Sequence, residues 1–312
     1  MSEQNPKIVP QIAVVGSLNM DIVLRVPRAP EAGETLLGHS MFTNPGGKGA
    51  NQAVACARLG ARVAMVGCVG SDDFGRQLRE VLVADGIDTS QVLDSGPASG
   101  MALITVDDAA ENRIVIIPGA NAAVSAGHVR EAAALLEAAR ITVLQLEVPI
   151  EAVLAAAEVA HAAGRIVLFN PAPMHELPAA IWPLVDVLVV NETEAEALAG
   201  CPVGSVAEAG SVVEVLRRLG PETVIVTLGA QGVVFGDTSG IRHVPAVKVD
   251  PVDTTAAGDT FIGAFAAATV EGKSVDDAVA LAVSAAALCV TRPGAQSSIP
   301  YRRELIQRYA SS

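Results

Sequence analysis

Short, almost unbroken apolar runs recur along this chain and are separated by longer stretches with helical spacing. Ile12–Gly16 forms one such run, followed by a helical pattern over Gly49–Leu59 that Gly60 closes. Val63–Val69 is the next predicted strand, and Phe74–Asp85 a helix ended by Gly86. The rhythm resumes with a helix over Ser125–Ala139, a strand over Thr142–Glu147, a helix over Glu151–Ala163 and a strand over Ile166–Asn170. Strand Val185–Asn191, helices Thr193–Ala199 and Val206–Leu219, and strand Thr223–Thr227 continue it. Strands that are apolar on both sides and alternate with helices predict an α/β fold, a mostly parallel sheet covered on both faces.

Two stretches depart from this rhythm. Asp21–Phe42 and Gly100–Ile117 are β-rich and punctuated by Pro27, Pro30, Gly33, Gly38 and Asp107-Asp108. They predict antiparallel strand pairs inserted into the body, able to join in space as one small sheet. A sheet that small exposes a face that a ligand or another subunit must cover.

Composition narrows the possibilities. At 312 residues, 51% of them hydrophobic and 18% charged, the chain is globular and can bury a core without metals or disulfides. A net charge of −13 argues against nucleic acid or an acidic membrane as partner, so anionic ligands must be held by local groups. The longest apolar run, Ala278–Val290, is interrupted by Ser284 and is too short to span a bilayer; Glu3 and Asp21 argue against a secretory signal. Cys56, Cys68, Cys201 and Cys289 lack metal-site spacing and are expected to be buried thiols in a reducing cytoplasm. The five histidines are dispersed, which predicts structural or solvent-facing roles.

In open α/β sheets ligands bind beyond the carboxyl ends of the strands, and polar groups gather there. Asn19 and Asp21 follow the first strand, and Glu147 follows the strand over Thr142–Leu146. The turn Asn44-Pro-Gly46-Gly47-Lys48-Gly49-Ala-Asn51-Gln52 enters a helix. Such groups supply the paired donors and acceptors that a polyol needs, although each alone has an ordinary reading as a cap or a surface charge. The turn is not a P-loop, because Phe42 and Gly49 stand where that pattern needs Gly and Ser/Thr. No complete GxGxxG, GxSxG or HExxH occurs. Asn191-Glu-Thr-Glu194 opens a helix after a strand, and its acids can hold magnesium through water. Thr227-Leu-Gly229-Ala-Gln-Gly232 allows a ligand close to the backbone. Their ordinary readings are an acidic helix start and a hairpin turn.

The most informative segment is Asp253-Thr-Thr-Ala-Ala-Gly-Asp-Thr-Phe261. Free N–H groups at a helix start, aided by the helix dipole, make an anion site. A carboxylate placed there would repel a phosphate. It makes sense if Asp259 accepts a proton from a hydroxyl attacking a phosphoryl group held on those N–H groups. The ordinary alternative is a glycine-containing loop with an acid favoured by the dipole.

Together these segments resemble the ribokinase-like carbohydrate kinase family, over almost the whole chain from Gly16 to Tyr301. The resemblance rests on Gly46–Gln52, Asn170-Pro-Ala-Pro173, Asn191–Glu194 and Ala256–Phe261, in the family's order. It implies one catalytic domain over 1–312, a three-layer αβα body with a β lid from about 17–45 and 98–120, and ATP-dependent phosphorylation of D-ribose at its 5-hydroxyl. By position, Asn19, Asp21, Gly47, Lys48, Asn51 and Glu147 would hold the sugar. Asp259 would be the base, with the N–H groups of Ala256, Ala257 and Gly258 as anion hole. Asn191 and Glu194 would face the phosphates and magnesium, and Thr227, Gly229 and Gly232 would line the nucleotide. Members are activated by potassium; the matching oxygen donors would be Asp253 and the backbone of Thr255, with Cys289, Arg292, Gly294 and Ser298. Lid strands in relatives pair between subunits, which implies a homodimer. This chain departs from some members in carrying Val283-Ser284 where they place Asn or His near the adenine. Two other readings stay open: a kinase for another sugar or nucleoside on the same fold, and a silent sugar or nucleotide sensor, against which the intact Gly258-Asp259 pair speaks. A dehydrogenase would lack its dinucleotide fingerprint.

Overall fold

The first apolar run forms strand β1 (Ile12–Val15), and all four of its side chains are buried, as coverage of both sheet faces requires. The computed structural model describes residues 9–109 and 111–310; the two ends of the expected 1–312 domain, Glu3 included, lie outside them. After β1 come β2 (Asn19–Arg25), β3 (Ser40–Gly46), α1 (Lys48–Arg58), β4 (Val63–Val69), α2 (Asp73–Ala84), β5 (Asp88–Asp94), β6 (Gly100–Val106) and β7 (Asn112–Ile117). Then follow α3 (Ala126–Glu131), α4 (Ala133–Ala138), β8 (Ile141–Leu144), α5 (Ile150–Ala162), β9 (Ile166–Phe169), β10 (Val187–Asn191), α6 (Glu192–Ala199), α7 (Val206–Arg217) and β11 (Thr223–Thr227). The chain ends with the hairpin β12 (Val233–Asp237) and β13 (Gly240–Val244), and with α8 (Ala257–Val270), α9 (Val275–Cys289) and α10 (Arg302–Ala310).

Nine strands form the large sheet in the order β13-β12-β11-β10-β9-β8-β1-β4-β5. It is parallel from β5 to β11, with the antiparallel hairpin at one edge. Alternate residues feed two cores: Ile12 and Val14 pack with α1, α8 and α9, whereas Ala13 and Val15 pack with α3, α4 and α5. The result is the expected αβα sandwich. β1 pairs with β4 on one side and β8 on the other, so the chain order reverses at β1. Neighbouring crossovers diverge there and leave a crevice at the carboxyl ends of the strands.

The inserted stretches form a second sheet of four strands, β3-β2-β6-β7. β2 and β6 pair in parallel, each with its antiparallel partner outside, so two segments far apart in sequence make one lid sheet. All six residues of β7 are exposed, among them Ile114 and Val115.

Several boundaries differ from expectation. The helix expected over Ser125–Ala139 is divided at Ala132, whose ψ of 2° ends α3 and starts α4; an alanine-rich stretch carries no breaker to announce this. Strand β5 had no apolar signal, because as an edge strand it buries only Val92. Cys201 is half-buried instead of buried, because it follows Gly200 in the loop after α6; the other three cysteines are buried.

Candidate active site

Strand ends from both halves of the chain meet in the crevice. β1 leads directly to Ser17, Asn19 and Asp21, and β8 runs on to Gln145 and Glu147. Glu147 gathers three donors on one carboxylate oxygen: Ser17 Oγ at 2.6 Å, the Lys48 backbone N–H at 3.0 Å and Asn19 Nδ2 at 3.3 Å. Asn121, from the loop after the lid, fixes Asn19 by donating to its Oδ1 at 2.7 Å.

The glycine turn is shaped by close approach. Gly47 has φ 88°, and a Cβ there would lie 2.7 Å from the Asn19 nitrogen. A side chain at Gly46 would overlap the Asp21 carboxylate. These glycines bring the start of α1 against the end of β1 and leave Asp21 buried beside the turn. Burial, then the charges of Glu147 and Asp259, raises the Asp21 carboxyl to about 7. For Lys48, burial acts to lower the ammonium, but the carboxylates of Asp259, Glu147 and Glu194 outweigh it and hold the group above its ordinary value. The lysine is therefore a charged donor in a site otherwise rich in acids.

Asp259 lies in the first turn of α8 and is buried. α1 presents an N–H to each of its oxygens: Asn51 Nδ2 to Oδ2 and Gln52 Nε2 to Oδ1, both at 2.9 Å. Asn51 Oδ1 is buried with no partner among the described residues, leaving a spare acceptor beside the carboxylate. The turn into α8 is strained at Ala256, whose φ of 60° is left-handed without being glycine; such strain persists where the surroundings impose it, often at functional sites. Of the three N–H groups expected in the anion hole, that of Ala257 donates to the Thr254 carbonyl at 3.2 Å. Of the three, those of Ala256 and Gly258 stay available to an anion, whereas that of Ala257 is already engaged.

Two connected cavities adjoin this turn. One, of about 230 Å³, is lined by Lys48, Asn191, Glu194, Thr227, Ala256 and Asp259, among others. The larger, about 760 Å³, is lined by apolar groups such as Val247, Val283 and Val290, and by Gly229 and Gly232. Thr227, Thr254, Ala257 and Gly258 line both, so a small polar cleft adjoins a larger apolar slot. Val283 takes part in that lining. Asn191 and Glu194 also form a capping box at the start of α6, in which Asn191 donates to both Glu194 oxygens. The ordinary reading as a helix start and the position at the cleft hold together. Burial raises the Glu194 carboxyl, against the Asn191 N–H and the Lys48 charge.

The residues expected around a monovalent cation gather on the loop side of α8. Asp253 accepts from Thr255 N at 2.9 Å and Thr255 Oγ1 at 2.6 Å on one oxygen, and from Gly294 N at 2.9 Å on the other. Burial works against ionisation there, but these donors hold the Asp253 carboxyl below its ordinary value. Burial raises the Cys289 thiol, which lies 3.0 Å from Ser298 Oγ and 3.7 Å from the Thr255 carbonyl. The Arg292 side chain turns away to Glu304 at 2.6 Å, so Arg292 can offer a cation only its carbonyl.

Sequence reasoning assigned no role to Ser17, Gln52, Asn121 or Gln145. For Gln145 a signal existed: an amide in an otherwise apolar strand run is anomalous unless it has a partner.

Comparison with known proteins agrees with this fold. The model of the pfkB family carbohydrate kinases matches residues 9–302. The ribokinase of Haemophilus influenzae is 43% identical over 297 residues, spanning 95% of this chain and 97% of the relative. A deoxyribokinase of Salmonella typhi is 40% identical over 292 residues, spanning 93% and 95%. The structure of Arabidopsis thaliana ribokinase complexed with ribose and ATP superposes with a TM-score of 0.90 at 32% identity, covering 96% of this chain and 98% of that one.

Proposed function

From the premise that this chain belongs to the pfkB family and is an ATP-dependent carbohydrate kinase, we propose that it transfers the γ-phosphoryl group of ATP to O5 of D-ribose. The observation that carries this reading is the Asp259 carboxylate, held by Asn51 and Gln52 where it lines the small polar cleft beside the start of α8. Asp259 accepts the proton of the 5-hydroxyl as its oxygen bonds to the γ-phosphorus and the bond to the ADP oxygen breaks. The N–H groups of Ala256 and Gly258 face the developing charge, and that of Ala257 joins if it leaves Thr254. Asn19, Asp21, Gly47, Lys48, Asn51 and Glu147 hold the sugar. The nucleotide lies along Asn191, Thr227, Gly229 and Gly232, with its base in the apolar slot. Both Glu194 oxygens already accept from Asn191, which suits magnesium contact through water; when bound, the ion neutralises phosphate charge.

A panel of sugars tests the assignment. Ribose is expected to give the highest kcat/KM, with 2-deoxyribose lower by roughly 10-fold or more, because a buried group left without its hydroxyl loses about 1–3 kcal/mol. Fructose and adenosine should be poor acceptors. A higher kcat/KM for 2-deoxyribose would instead favour the second reading, a deoxyribokinase, which the Salmonella relative supports at similar identity.

The ionised Asp253, with the carbonyls of Thr255, Cys289, Arg292, Gly294 and Ser298, fits a potassium ion that fixes the turn before the anion hole. Turnover should rise in potassium and much less in sodium; equal rates in potassium, sodium and tetramethylammonium would remove this part of the reading. The exposed apolar strand β7 is covered by a second copy through the lid. Sedimentation at the mass of one chain at micromolar concentration would argue against that dimer.

A further inference from the structure

The Gln52 amide stands among three partners. Its Nε2 donates to Asp259 Oδ1 at 2.9 Å and Asn170 Oδ1 at 3.3 Å, while its Oε1 accepts from Gln145 Nε2 at 2.6 Å. A carboxylate that acts as base can only accept, whereas an amide has a donating end and an accepting end. Gln52 therefore supports Asp259 in one sense of its amide and repels it in the other. Two neighbours select the sense. Gln145 offers its NH₂ to the oxygen end. Asn170, whose Nδ2 is tied to the Val189 carbonyl at 3.0 Å, keeps its oxygen toward the nitrogen end.

Gln145 is itself completely buried, as is Gln52. Its oxygen occupies the space that a Cβ at Gly16 would need, so β1 leaves room for it. That oxygen has no hydrogen-bond partner among the described residues. A buried amide satisfied at only one end is a poor way to stabilise a core; its placement makes sense through what its NH₂ does to Gln52.

We propose that Gln145, Gln52 and Asn170 form a polar relay that orients the base. Gln52 is a positioning residue in contact with Asp259, and Gln145 is one that acts through Gln52. The proposal rests on the reading of Asp259 as the base. It predicts a loss of turnover without a loss of sugar affinity, because the relay's hydrogen bonds run to Asp259 and to one another, and none to Asn19, Asp21 or Glu147.

A double-mutant cycle tests it. Gln52→Met keeps the volume and removes a donor to a charged group, so kcat should fall about 10- to 100-fold, with the ribose KM changed no more than about 2-fold. Gln145→Met should lower kcat less, because Asn170 still biases the Gln52 amide. In the double variant the second substitution should add nothing to Gln52→Met, as expected when one residue works only through the other. Gln145→Glu has the same shape but places an acceptor against Gln52 and reverses its amide, so it should be slower than Gln145→Met. If Gln145→Met does not fold, the cycle is closed with Gln145→Glu. Multiplicative losses in the double variant, wild-type kcat in Gln145→Glu, or a loss confined to ribose KM would overturn the relay. So would lowered thermal stability with unchanged kcat per folded molecule, the mark of a purely structural role. Asp259→Asn in the same assay separates the two readings: wild-type turnover there would sink the base assignment, whereas additive losses with an inactive Asp259→Asn would sink only the relay.

Discussion

Asp259→Asn is expected to lower turnover with ribose by at least about 10²–10⁴-fold, the usual contribution of a positioned general base, with little change in ribose affinity. The charge is lost but the shape is kept, and the proposed sugar contacts of Asn19, Lys48 and Glu147 are left in place. Part of the loss has a second source. Asn51 and Gln52 present one N–H to each oxygen, so an amide at this position sets its own NH₂ against one of theirs. Asp259→Ala, which removes the group altogether, separates the two contributions. If either variant kept near-wild-type turnover in an ADP-release assay, the base would have to be sought elsewhere.

The second large effect is a trade between stability and affinity at Asp21. In the unligated fold its carboxyl is raised to about 7 by burial, then by Glu147 and Asp259, whereas in the unfolded chain it titrates near about 4. The folded state therefore holds this proton more tightly. The resulting stabilisation is fully present below about pH 4 and is lost as pH rises through about 7. Between pH 5 and pH 8 the unligated enzyme should lose on the order of 2–3 kcal/mol from this group. Asp21→Asn removes the titration, so its melting temperature should exceed that of the wild type clearly at pH 8, by less at pH 5, and match it only near pH 4. The same variant should bind ribose about 10- to 100-fold more weakly, because a hydrogen bond to a charged group is worth about 1.5–3 kcal/mol. Melting curves at the two pH values and a ribose titration check both halves. A variant no more stable than wild type at pH 8 would show that burial of Asp21 is not opposed by its charge.

The body of the fold was legible because its strands are apolar on both faces. Val63–Val69 and Thr223–Thr227 coincide with β4 and β11, since such runs have no other stable place. The lid was legible through its turn residues. The parallel pairing of β2 with β6 was not, because register between distant segments leaves no local trace. Strand β5 and the division at Ala132 were missed for the same kind of reason: an edge strand needs little apolar surface, and alanine permits both a helix and its interruption. At the site, residues at strand ends beside glycines were identifiable by type and place. Gln52 and Gln145 were not, because an amide's role depends on which end faces which neighbour, and only the packed structure decides that.

Gly263 in α8 sits against Ala55 and the Cys56 nitrogen of α1 so closely that a Cβ there would overlap them. The helix that carries Asp259 and the helix that carries Asn51 and Gln52 thus pack with only the small Ala55 methyl and main-chain atoms at their seam. That close seam fixes the separation of Asp259 from Asn51 and Gln52 with little room for a bulkier side chain. Adaptation to a different acceptor must then come from the opposite side, where Asn19 and Asp21 ride on a strand of the small sheet. Descendants of this scaffold that take new sugars should differ first along β2 and its lid neighbours, while the α1–α8 seam tolerates almost no change.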